Sequence, residues 1–297
     1  MTRDWPRLSE WNAYDLAPSL RDWETATFAL LLLPYERTTT YLRGTRRGPE
    51  AFLNASQQVE LYDVELGISP CRAGIYAARL EFEEDVPIEE CLSRIRGAAA
   101  QLLNSGKRVI AIGGEHTVTL PLVEAHKASY PDLQVVQFDA HADLRDEFEG
   151  SPFNHACVMR RIHALAPHVG IGIRSVSQEE AAFSRSENIP LFLARDLVRG
   201  ACTVDDVLRA IHPERPVYLT IDLDCFDPSE APGVGTPEPG GLSWYAALEL
   251  LEAVIRQRQV VGADVVELRP LADSAATEFL AAKLVYRIIG LFQEPFR

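Results

Sequence analysis

Two short clusters of acidic residues and histidine have a spacing that could hold metal ions. Asp139, His141 and Asp143 alternate with alanines, and Asp222 and Asp224 are separated by a single leucine. Alternate residues of an extended segment point the same way, so the members of each cluster should converge. A single Asp at a strand end more often caps a helix or a turn, and a lone D-x-D pair is weak evidence. These two clusters indicate a metal site only if the chain brings further clusters of this kind together with them.

A third cluster completes a candidate site for two metal ions. The motif GGEH at 113–116 adds His116, which gives two imidazoles and four carboxylates in all. Four carboxylates at short range cannot all stay ionised without compensating positive charge, and two divalent cations would balance them. Oxygen-rich ligation with a minority of imidazole favours Mn²⁺ over zinc. Three spaced clusters are hard to obtain by chance, so we interpret them as a metal site.

The elements that must position these clusters are the strands of a parallel sheet. Continuous apolar runs predict seven buried strands, and the segments between them have helical spacing. The predicted strands are 28–33, 108–112, 134–138, 169–173, 190–193, 217–221 and 260–266, and the predicted helices are 88–103, 119–129, 156–164, 177–186, 204–210, 244–256 and 275–291. Each metal-binding cluster, and also Glu267, directly follows a predicted strand. The carboxyl ends of parallel strands form the ligand crevice of open α/β sheets.

The composition indicates a globular protein and excludes several partners. The chain of 297 residues has 29 basic and 43 acidic side chains, a formal net charge of −14, which argues against nucleic-acid binding. No apolar run approaches the roughly 18–20 residues that span a bilayer, and the first residues lack the apolar segment of a signal peptide. The cysteines are five, widely spaced and without a CxxC motif, which fits a reducing cytoplasm.

The pattern predicts one large domain with a three-layer α/β/α architecture and a central, mostly parallel sheet. No linker rich in Ser, Gly or Pro divides the chain, and no internal repeat is visible. We assign residues 26–297 to this domain and residues 1–25 to an N-terminal arm. The arm carries Trp5, Trp11 and Trp23, which would pack on the domain or on a neighbouring subunit.

Five motifs in one consistent order resemble those of the ureohydrolase family, which contains arginase and agmatinase. They are GGEHT at 113–117, FDAHAD at 138–143, IDLDCFDP at 221–228, GTPEPGGL at 235–242 and VVELRP at 265–270. The resemblance covers roughly residues 25–293 and is strongest to agmatinase. It implies the arginase-like fold and a homo-oligomer, a trimer or hexamer. The chain departs from the common pattern at Glu115, where many members have Asp, and at Thr117, where Ser is common.

The resemblance also implies two Mn²⁺ ions with shared ligands. The first ion would be held by His116, Asp139, Asp143 and Asp222, and the second by Asp139, His141, Asp222 and Asp224. A hydroxide bridging the two ions would attack the carbon of a guanidino group, and urea and an amine would be released.

The resemblance also implies roles for His155, Glu267 and Glu238. The catalytic residues would be His155, Glu267 and the metal ligand Asp143, and the substrate would be bound by Glu267, Glu238 and His155. His155 matches the family's loop histidine and would transfer protons, although a surface histidine is the alternative. Glu267 matches the glutamate that binds the guanidinium, although an ion pair with Arg269 is the alternative. Glu238 lies in a Pro-rich turn, where it would line the pocket or hydrogen-bond His155.

The loop after the D-x-H-x-D cluster bears on the substrate. Asp146, Glu147 or Glu149 would repel a carboxylate if it faced the pocket, which would favour agmatine and its conversion to putrescine in polyamine synthesis. If all three face solvent, that argument fails. The alternatives are an arginase, a guanidinobutyrase-type enzyme, a one-zinc deacetylase of similar fold, and a non-catalytic metal-binding scaffold. The remaining histidines are expected to be ordinary surface or helix residues: His126, His163, His168 and His212.

Overall fold

Nine β-strands form one sheet in the computed structural model, which describes residues 8–83 and 85–294. The strands are β1 (Leu8–Trp11), β2 (Phe28–Leu33), β3 (Ile75–Leu80), β4 (Arg108–Gly113), β5 (Gln134–Phe138), β6 (His168–Ile173), β7 (Leu191–Leu193), β8 (Val217–Asp222) and β9 (Val260–Val266). Their order in the sheet is β1-β3-β2-β4-β9-β8-β5-β6-β7. Neighbouring strands are parallel except β1, which pairs antiparallel with β3.

Nine α-helices within the same residues cover both faces of the sheet. They are α1 (Gly48–Ser56), α2 (Ile88–Asn104), α3 (Thr119–Ser129), α4 (Val158–His163), α5 (Gln178–Ser186), α6 (Ala194–Val198), α7 (Val204–Ala210), α8 (Trp244–Gln257) and α9 (Ala276–Leu291). None of the helices in the described ranges is long and apolar enough to cross a membrane.

Alternating strand residues divide the core into two apolar clusters. Leu30 and Leu32 of β2 belong to one cluster, with residues of α1, α7, α8 and α9, whereas Leu31 belongs to the other, with residues of α2, α3 and α4. Successive side chains of a strand point to opposite faces, so the two clusters lie on opposite sides of the sheet. The predicted three-layer α/β/α architecture with a mostly parallel sheet is therefore confirmed.

All seven predicted strands and all seven predicted helices are present, with ends that differ by no more than two residues. Sequence reasoning missed four elements, namely β1, β3, α1 and α6. In the predicted N-terminal arm, Trp11 ends β1, and the Trp23 ring packs edge-on against Tyr76 at 5.0 Å. Trp5 lies outside the described residues, and the division between arm and domain stays a prediction.

The four strands that carry the polar clusters are consecutive in the sheet. Their order is β4, β9, β8, β5, and their ends lead into His116, Glu267, Asp222 and Asp139, respectively. Because all four strands are parallel, their carboxyl ends meet at one edge. The fold thus brings together side chains that lie up to about 150 residues apart in the chain.

Candidate metal centre and active site

His116 and three aspartates form the inner half of the candidate metal centre. The Nδ1 atom of His116 lies 3.2 Å from Asp139 Oδ2, 3.1 Å from Asp143 Oδ2 and 3.5 Å from Asp222 Oδ2. All four residues are buried. Asp143 has a positive φ of 52°, a left-handed conformation that few non-glycine residues adopt. Such strain is common at functional sites, where the surrounding structure holds it in place.

His141 and Asp224 form the outer half and share Asp139 with the inner one. The Nδ1 atom of His141 lies 2.9 Å from Asp224 Oδ2 and 3.6 Å from Asp139 Oδ1. Two groups of ligand atoms can each hold an ion, His116 with Asp139 and Asp222, and Asp139 with His141 and Asp224. Asp139 presents one oxygen to each histidine, which is the arrangement that a bridging carboxylate requires. All six predicted ligands therefore lie together.

Backbone amides and one glutamine hold these carboxylates in place. Asp139 accepts hydrogen bonds from the His141 amide at 2.6 Å and from Gln137 Nε2 at 2.8 Å. Asp224 accepts one from the Ala140 amide at 3.0 Å. Sequence reasoning missed Gln137, although it precedes Asp139 by two residues and so shares the side of the strand on which the ligands lie.

A hydrogen-bond chain determines which nitrogen of His116 faces the carboxylates. Asp264 accepts from Tyr218 Oη at 2.8 Å and from Thr220 Oγ1 at 2.7 Å. Thr220 uses its only proton in that bond, so its oxygen accepts from His116 Nε2–H at 2.8 Å. In the neutral ring that a metal ligand requires, the lone pair then lies on Nδ1, which is buried and makes no hydrogen bond to the residues that the structure describes. Such an orphaned imidazole nitrogen is a suitable metal ligand.

The charge of the cluster also fits divalent cations. Burial, followed by the charges of Asp224 and Asp139, raises the pKa of Asp222 well above its ordinary value. Burial and the charge of Asp139 raise the pKa of Asp143 to about 6. Both shifts report carboxylates that lack compensating positive charge. Buried carboxylate oxygens with two imidazoles suit Mn²⁺, so the donor set fits the expected pair of ions.

His155 and Glu267 contact each other beside the ligand cluster. His155 Nδ1 lies 3.4 Å from Glu267 Oε1, and its Nε2 lies 3.2 Å from Thr40 Oγ1. Burial lowers the pKa of His155, but the hydrogen bond and charge of Glu267 outweigh it and raise the pKa to about 9. Glu267 Oε1 also accepts from the His116 amide at 2.7 Å. The Arg269 guanidinium instead donates to the carbonyl of Arg43 at 3.0 Å, so the alternative of a Glu267–Arg269 ion pair is not what the structure shows.

A cavity of about 230 Å³ opens beside this cluster. Its lining residues are Thr40, His141, Asp143, Arg145, Phe148, His155, Ala156, Ser175, Asp222 and Thr236. Glu238 lies at the edge, with Oε1 3.9 Å from His141 Nε2 and about a third of its side chain exposed. Glu238 is not itself among the lining residues, and its contact is with His141 and not with His155.

The acids of the loop after Asp143 face solvent. Asp146, Glu147 and Glu149 are exposed and are not among the residues that line the cavity. Asp146 forms a salt bridge with Arg161 instead. The loop acids therefore give no reason to expect an amine-bearing substrate. Glu238 is an acid outside the predicted ligand set that lies next to a lining residue, His141.

Other residues that sequence reasoning misplaced or missed lie around the site. His126 lies on helix α3, one of the two expected settings, and is buried, whereas His168 is buried in strand β6, so the expectation of a surface or helix residue was wrong at His168. Glu115, Thr38 and Thr40 contact each other or His155. The run of three threonines at 38–40, which follows a predicted strand, was the available signal for this loop.

Comparisons with known proteins identify the family. A family model described as the arginase family matches residues 26–290. The N(1)-aminopropylagmatine ureohydrolase of Synechocystis sp. is 43% identical over 94% of this chain and 93% of the relative. The agmatinase of Pyrococcus horikoshii is 36% identical over 96% and 98% of the two chains. The agmatine ureohydrolase of Thermoplasma volcanium superposes with a TM-score of 0.84 at 30% identity and covers 95% of each chain.

The chain belongs to the arginase family. It is, more narrowly, an agmatinase-like hydrolase of the urea-releasing type. The resemblance seen in the sequence and the arginase-like fold that it implied are thereby confirmed.

Proposed function

We propose that this protein hydrolyses the guanidino group of a linear amine to urea and the shortened amine, with two Mn²⁺ ions bound at the candidate metal centre. The observation that carries the proposal is the contact between His155 and Glu267, 3.4 Å apart at the edge of the ligand cluster. A metal-binding scaffold or a one-zinc deacetylase does not require this pair.

The proposed division of ligands between two ions agrees with the two groups of ligand atoms, and the share of Asp222 in the second ion is carried over from the family resemblance. His116, Asp139, Asp143 and Asp222 would hold one ion, and Asp139, His141, Asp222 and Asp224 the other. When bound, such a pair of ions supplies a water of lowered pKa next to the substrate carbon.

The chain's own residues would bind the substrate and transfer the proton. The Glu267 carboxylate can accept hydrogen bonds from the planar guanidinium, which offers several N–H donors. The hydrogen bond and charge of Glu267 raise the pKa of His155 to about 9, which favours the protonated ring. The departing amine nitrogen needs such a proton when the C–N bond breaks, and His155 lines the cavity in which it would lie.

The substrate's tail would lie toward Glu238. This carboxylate, 3.9 Å from His141 Nε2, would attract an ammonium group and repel a carboxylate. Arg145 also lines the cavity, but its guanidinium stacks on Phe148 at 4.5 Å and lies 4.0 Å from Glu180. The cavity of about 230 Å³ is below the roughly 300–1,000 Å³ of sites for drug-sized ligands, which suits a slender chain.

Two amines fit this description, agmatine and N(1)-aminopropylagmatine. Agmatine would give putrescine and is the substrate that the sequence favoured. The relative with 43% identity is named for the aminopropyl derivative, whereas the agmatinase has 36% identity. The longer amine is therefore the second candidate, and both would place a cationic tail next to Glu238.

A panel of substrates tests the proposal. Urea release by the Mn²⁺-loaded protein is measured with agmatine, N(1)-aminopropylagmatine, 4-guanidinobutyrate and arginine. We expect kcat/KM for at least one of the amines to exceed that for both carboxylates by tenfold or more, about 1.4 kcal/mol. Glu238→Gln should reduce the ratio of kcat/KM for the amine to that for the carboxylates, mainly by raising KM for the amine. Glu249→Gln, which changes an exposed acid of α8, is the matched control and should leave this ratio unchanged.

Three results would contradict parts of the proposal. Faster hydrolysis of arginine or 4-guanidinobutyrate would assign a different guanidino substrate. Absence of urea from all four compounds would exclude the activity. An unchanged ratio of kcat/KM between amines and carboxylates in Glu238→Gln would show that Glu238 does not contribute to substrate selection.

The cellular setting completes the proposal. The five cysteines are all free thiols, which supports a reducing cytoplasm. A homo-oligomer, trimer or hexamer, is carried over from the family resemblance.

A further inference from the structure

We propose that Glu115 and Thr38 are positioning residues for His155. In this proposal the buried carboxylate of Glu115 fixes the loop formed by residues 37–40, and the loop then holds both the backbone and the ring of His155. The inference rests on the proposed function because it assumes that His155 transfers the proton. The experiment below includes a measurement that does not depend on that assumption.

Glu115 is fully buried and its carboxylate binds the loop at both oxygens. Oε2 accepts hydrogen bonds from the amides of Arg37 and Thr38, each at 2.6 Å. Oε1 accepts from the hydroxyls of Thr38 at 2.6 Å and Thr117 at 2.8 Å. Hydrogen bonds to a buried charged acceptor are among the stronger ones in proteins, so the carboxylate ties the loop firmly to the end of β4.

Thr38 transmits this attachment to His155. Its hydroxyl proton is used in the bond to Glu115, so its oxygen accepts from the His155 amide at 3.0 Å. Its carbonyl accepts from Asn154 Nδ2 at 3.4 Å. Asn154 in turn caps the short 3₁₀ turn that begins at His155, because its side chain accepts from the Ala156 amide at 3.0 Å. The loop thereby fixes where the backbone of His155 enters the site.

Thr40 holds the other end of the same histidine. Its hydroxyl lies 3.2 Å from His155 Nε2, and Glu267 lies 3.4 Å from Nδ1 on the opposite side of the ring. The imidazole is thus oriented by two partners, one of which belongs to the loop. A proton donor must reach its acceptor within hydrogen-bond distance, and small misplacements of catalytic groups are costly.

The length of the Glu115 side chain matters for this contact. An Asp at this position would place its carboxylate about 1.5 Å further back, one carbon–carbon bond shorter. Bonds of 2.6 Å to the amides of Arg37 and Thr38 would then exceed hydrogen-bond range unless the loop moved inward. The glutamate that replaces the common Asp of the motif is therefore matched to the position of this loop.

Isosteric variants of Thr38 test the proposal. Thr38→Val keeps the shape but removes the hydroxyl, and Thr38→Ser keeps the hydroxyl. We expect Thr38→Val to lower kcat roughly 10- to 100-fold with KM and Mn²⁺ content within about twofold of wild type. Thr38→Ser should recover most of the loss. Thr45→Val is the matched control, because the buried Thr45 hydroxyl has no hydrogen-bond partner in the described part of the chain.

Amide hydrogen exchange gives the measurement that needs no substrate. The His155 amide is protected by Thr38 Oγ1, so Thr38→Val and Glu115→Gln should both speed exchange in the peptide that contains residues 154–156, and Thr38→Ser should not. Exchange at wild-type rates in Thr38→Val would overturn the proposal, as would wild-type kcat. A Thr38→Ser variant as slow as Thr38→Val would also overturn it, because the loss would then reflect packing.

The two proposals can fail separately. If the wild-type protein releases no urea from any guanidino compound, the proposed function fails, and the exchange rates alone decide whether Glu115 and Thr38 position His155. If urea is released but Thr38→Val behaves as wild type, the function stands and the positioning role is excluded.

Discussion

Asp264 acts on the candidate metal centre through Thr220, without contacting the ligand carboxylates. Its carboxylate accepts the Thr220 proton, which makes His116 Nε2 a donor and leaves Nδ1 free to ligate. Carboxylates that orient metal-binding histidines typically contribute 10- to 100-fold to metal affinity. The tautomer of a ligand histidine thus depends on a residue two hydrogen bonds away.

Asp264→Asn tests this dependence. The amide of the new side chain can donate to Thr220, which then donates to His116 Nε2 and moves the imidazole proton to Nδ1. We expect Mn²⁺ affinity, measured by calorimetric titration of metal-free protein, to fall about 10- to 100-fold. Thr220→Ser keeps the hydroxyl and should bind Mn²⁺ as wild type does. Thr220→Val removes the hydroxyl that links Asp264 to His116. Wild-type Mn²⁺ affinity in both Asp264→Asn and Thr220→Val would show that these hydrogen bonds do not control the tautomer of His116.

The ligands could be predicted from the sequence, but the residues around them could not. Asp139, His141 and Asp143 are recognisable because alternation along one extended segment makes them converge. The contacts of the surrounding residues join distant parts of the chain, since Thr220 lies 104 residues from His116 and Thr38 lies 77 residues from Glu115. No local pattern encodes such a pair, and only the sheet order brings the partners together.

Helix α3 packs against strand β9 through a close contact between His126 and Gly262, which leaves no space for a side chain at position 262. A Cβ atom at Gly262 of β9 would lie 2.2 Å from Nε2 of His126 on α3. The His126 ring cannot easily move away, because its Nδ1 lies 2.8 Å from the Leu122 carbonyl and its centroid lies 4.7 Å from that of Tyr218 in an edge contact. Tyr218 also donates a hydrogen bond to Asp264, so this packing helps to hold the Tyr218 ring in position for that bond.

Gly262→Ala should therefore destabilise the protein by about 1–3 kcal/mol, the usual cost of overpacking a core. Chemical denaturation gives the free energy of unfolding of wild type, Gly262→Ala, His126→Ala and the double variant. Because the clash is with the His126 ring, Gly262→Ala should cost much less in the His126→Ala background. Equal costs in the two backgrounds would show that the added methyl group meets something else.

Elements were predictable where their burial pattern was continuous. Strand β2 is apolar at every position, and its bounds were predicted without error. Strand β1 is mostly exposed at the sheet edge, and Arg79 interrupts β3 by reaching to the Trp11 ring at 5.4 Å. Helix α6 has only five residues, too few for a helical period to show. The missed strand β1 lies at the sheet edge, where solvent and not the core selects most of its side chains.

For the molecule as a whole, the sequence predicted the layered architecture and the sheet edge that carries the candidate site. It did not predict which residues would select the substrate. The strand pattern led to the α/β/α architecture and to the carboxyl-end site. Which acid approaches the substrate depends on how loops turn, and the loop with Asp146 turned outward to Arg161 while Glu238 reached His141. Loop direction is set by tertiary contacts such as these, which the spacing of residues does not reveal.

Buried histidines couple the stability of the whole molecule to pH. Burial lowers the pKa of His126 to about 4 and, with a smaller effect from His163, lowers that of His168 to about 3. An unfolded histidine has a pKa near 6.5, so below that pH the unfolded chain takes up protons that the folded protein excludes. The contribution of these two histidines to folding stability should therefore fall as pH drops from about 6.5 toward 4 and 3.

His168→Phe should remove one of these two contributions. The slope of unfolding free energy against pH, measured by denaturation of the Mn²⁺-loaded protein between pH 6 and 4, should decrease by about 1.4 kcal/mol per pH unit relative to wild type. Neither nitrogen of His168 has a hydrogen-bond partner within the described ranges, so phenylalanine should not lower stability at pH 7 through a lost bond. His212→Phe, at an exposed position, is the matched control and should keep the wild-type slope. An unchanged slope in His168→Phe would mean that this histidine is protonated in the folded protein, and that the acid sensitivity arises elsewhere.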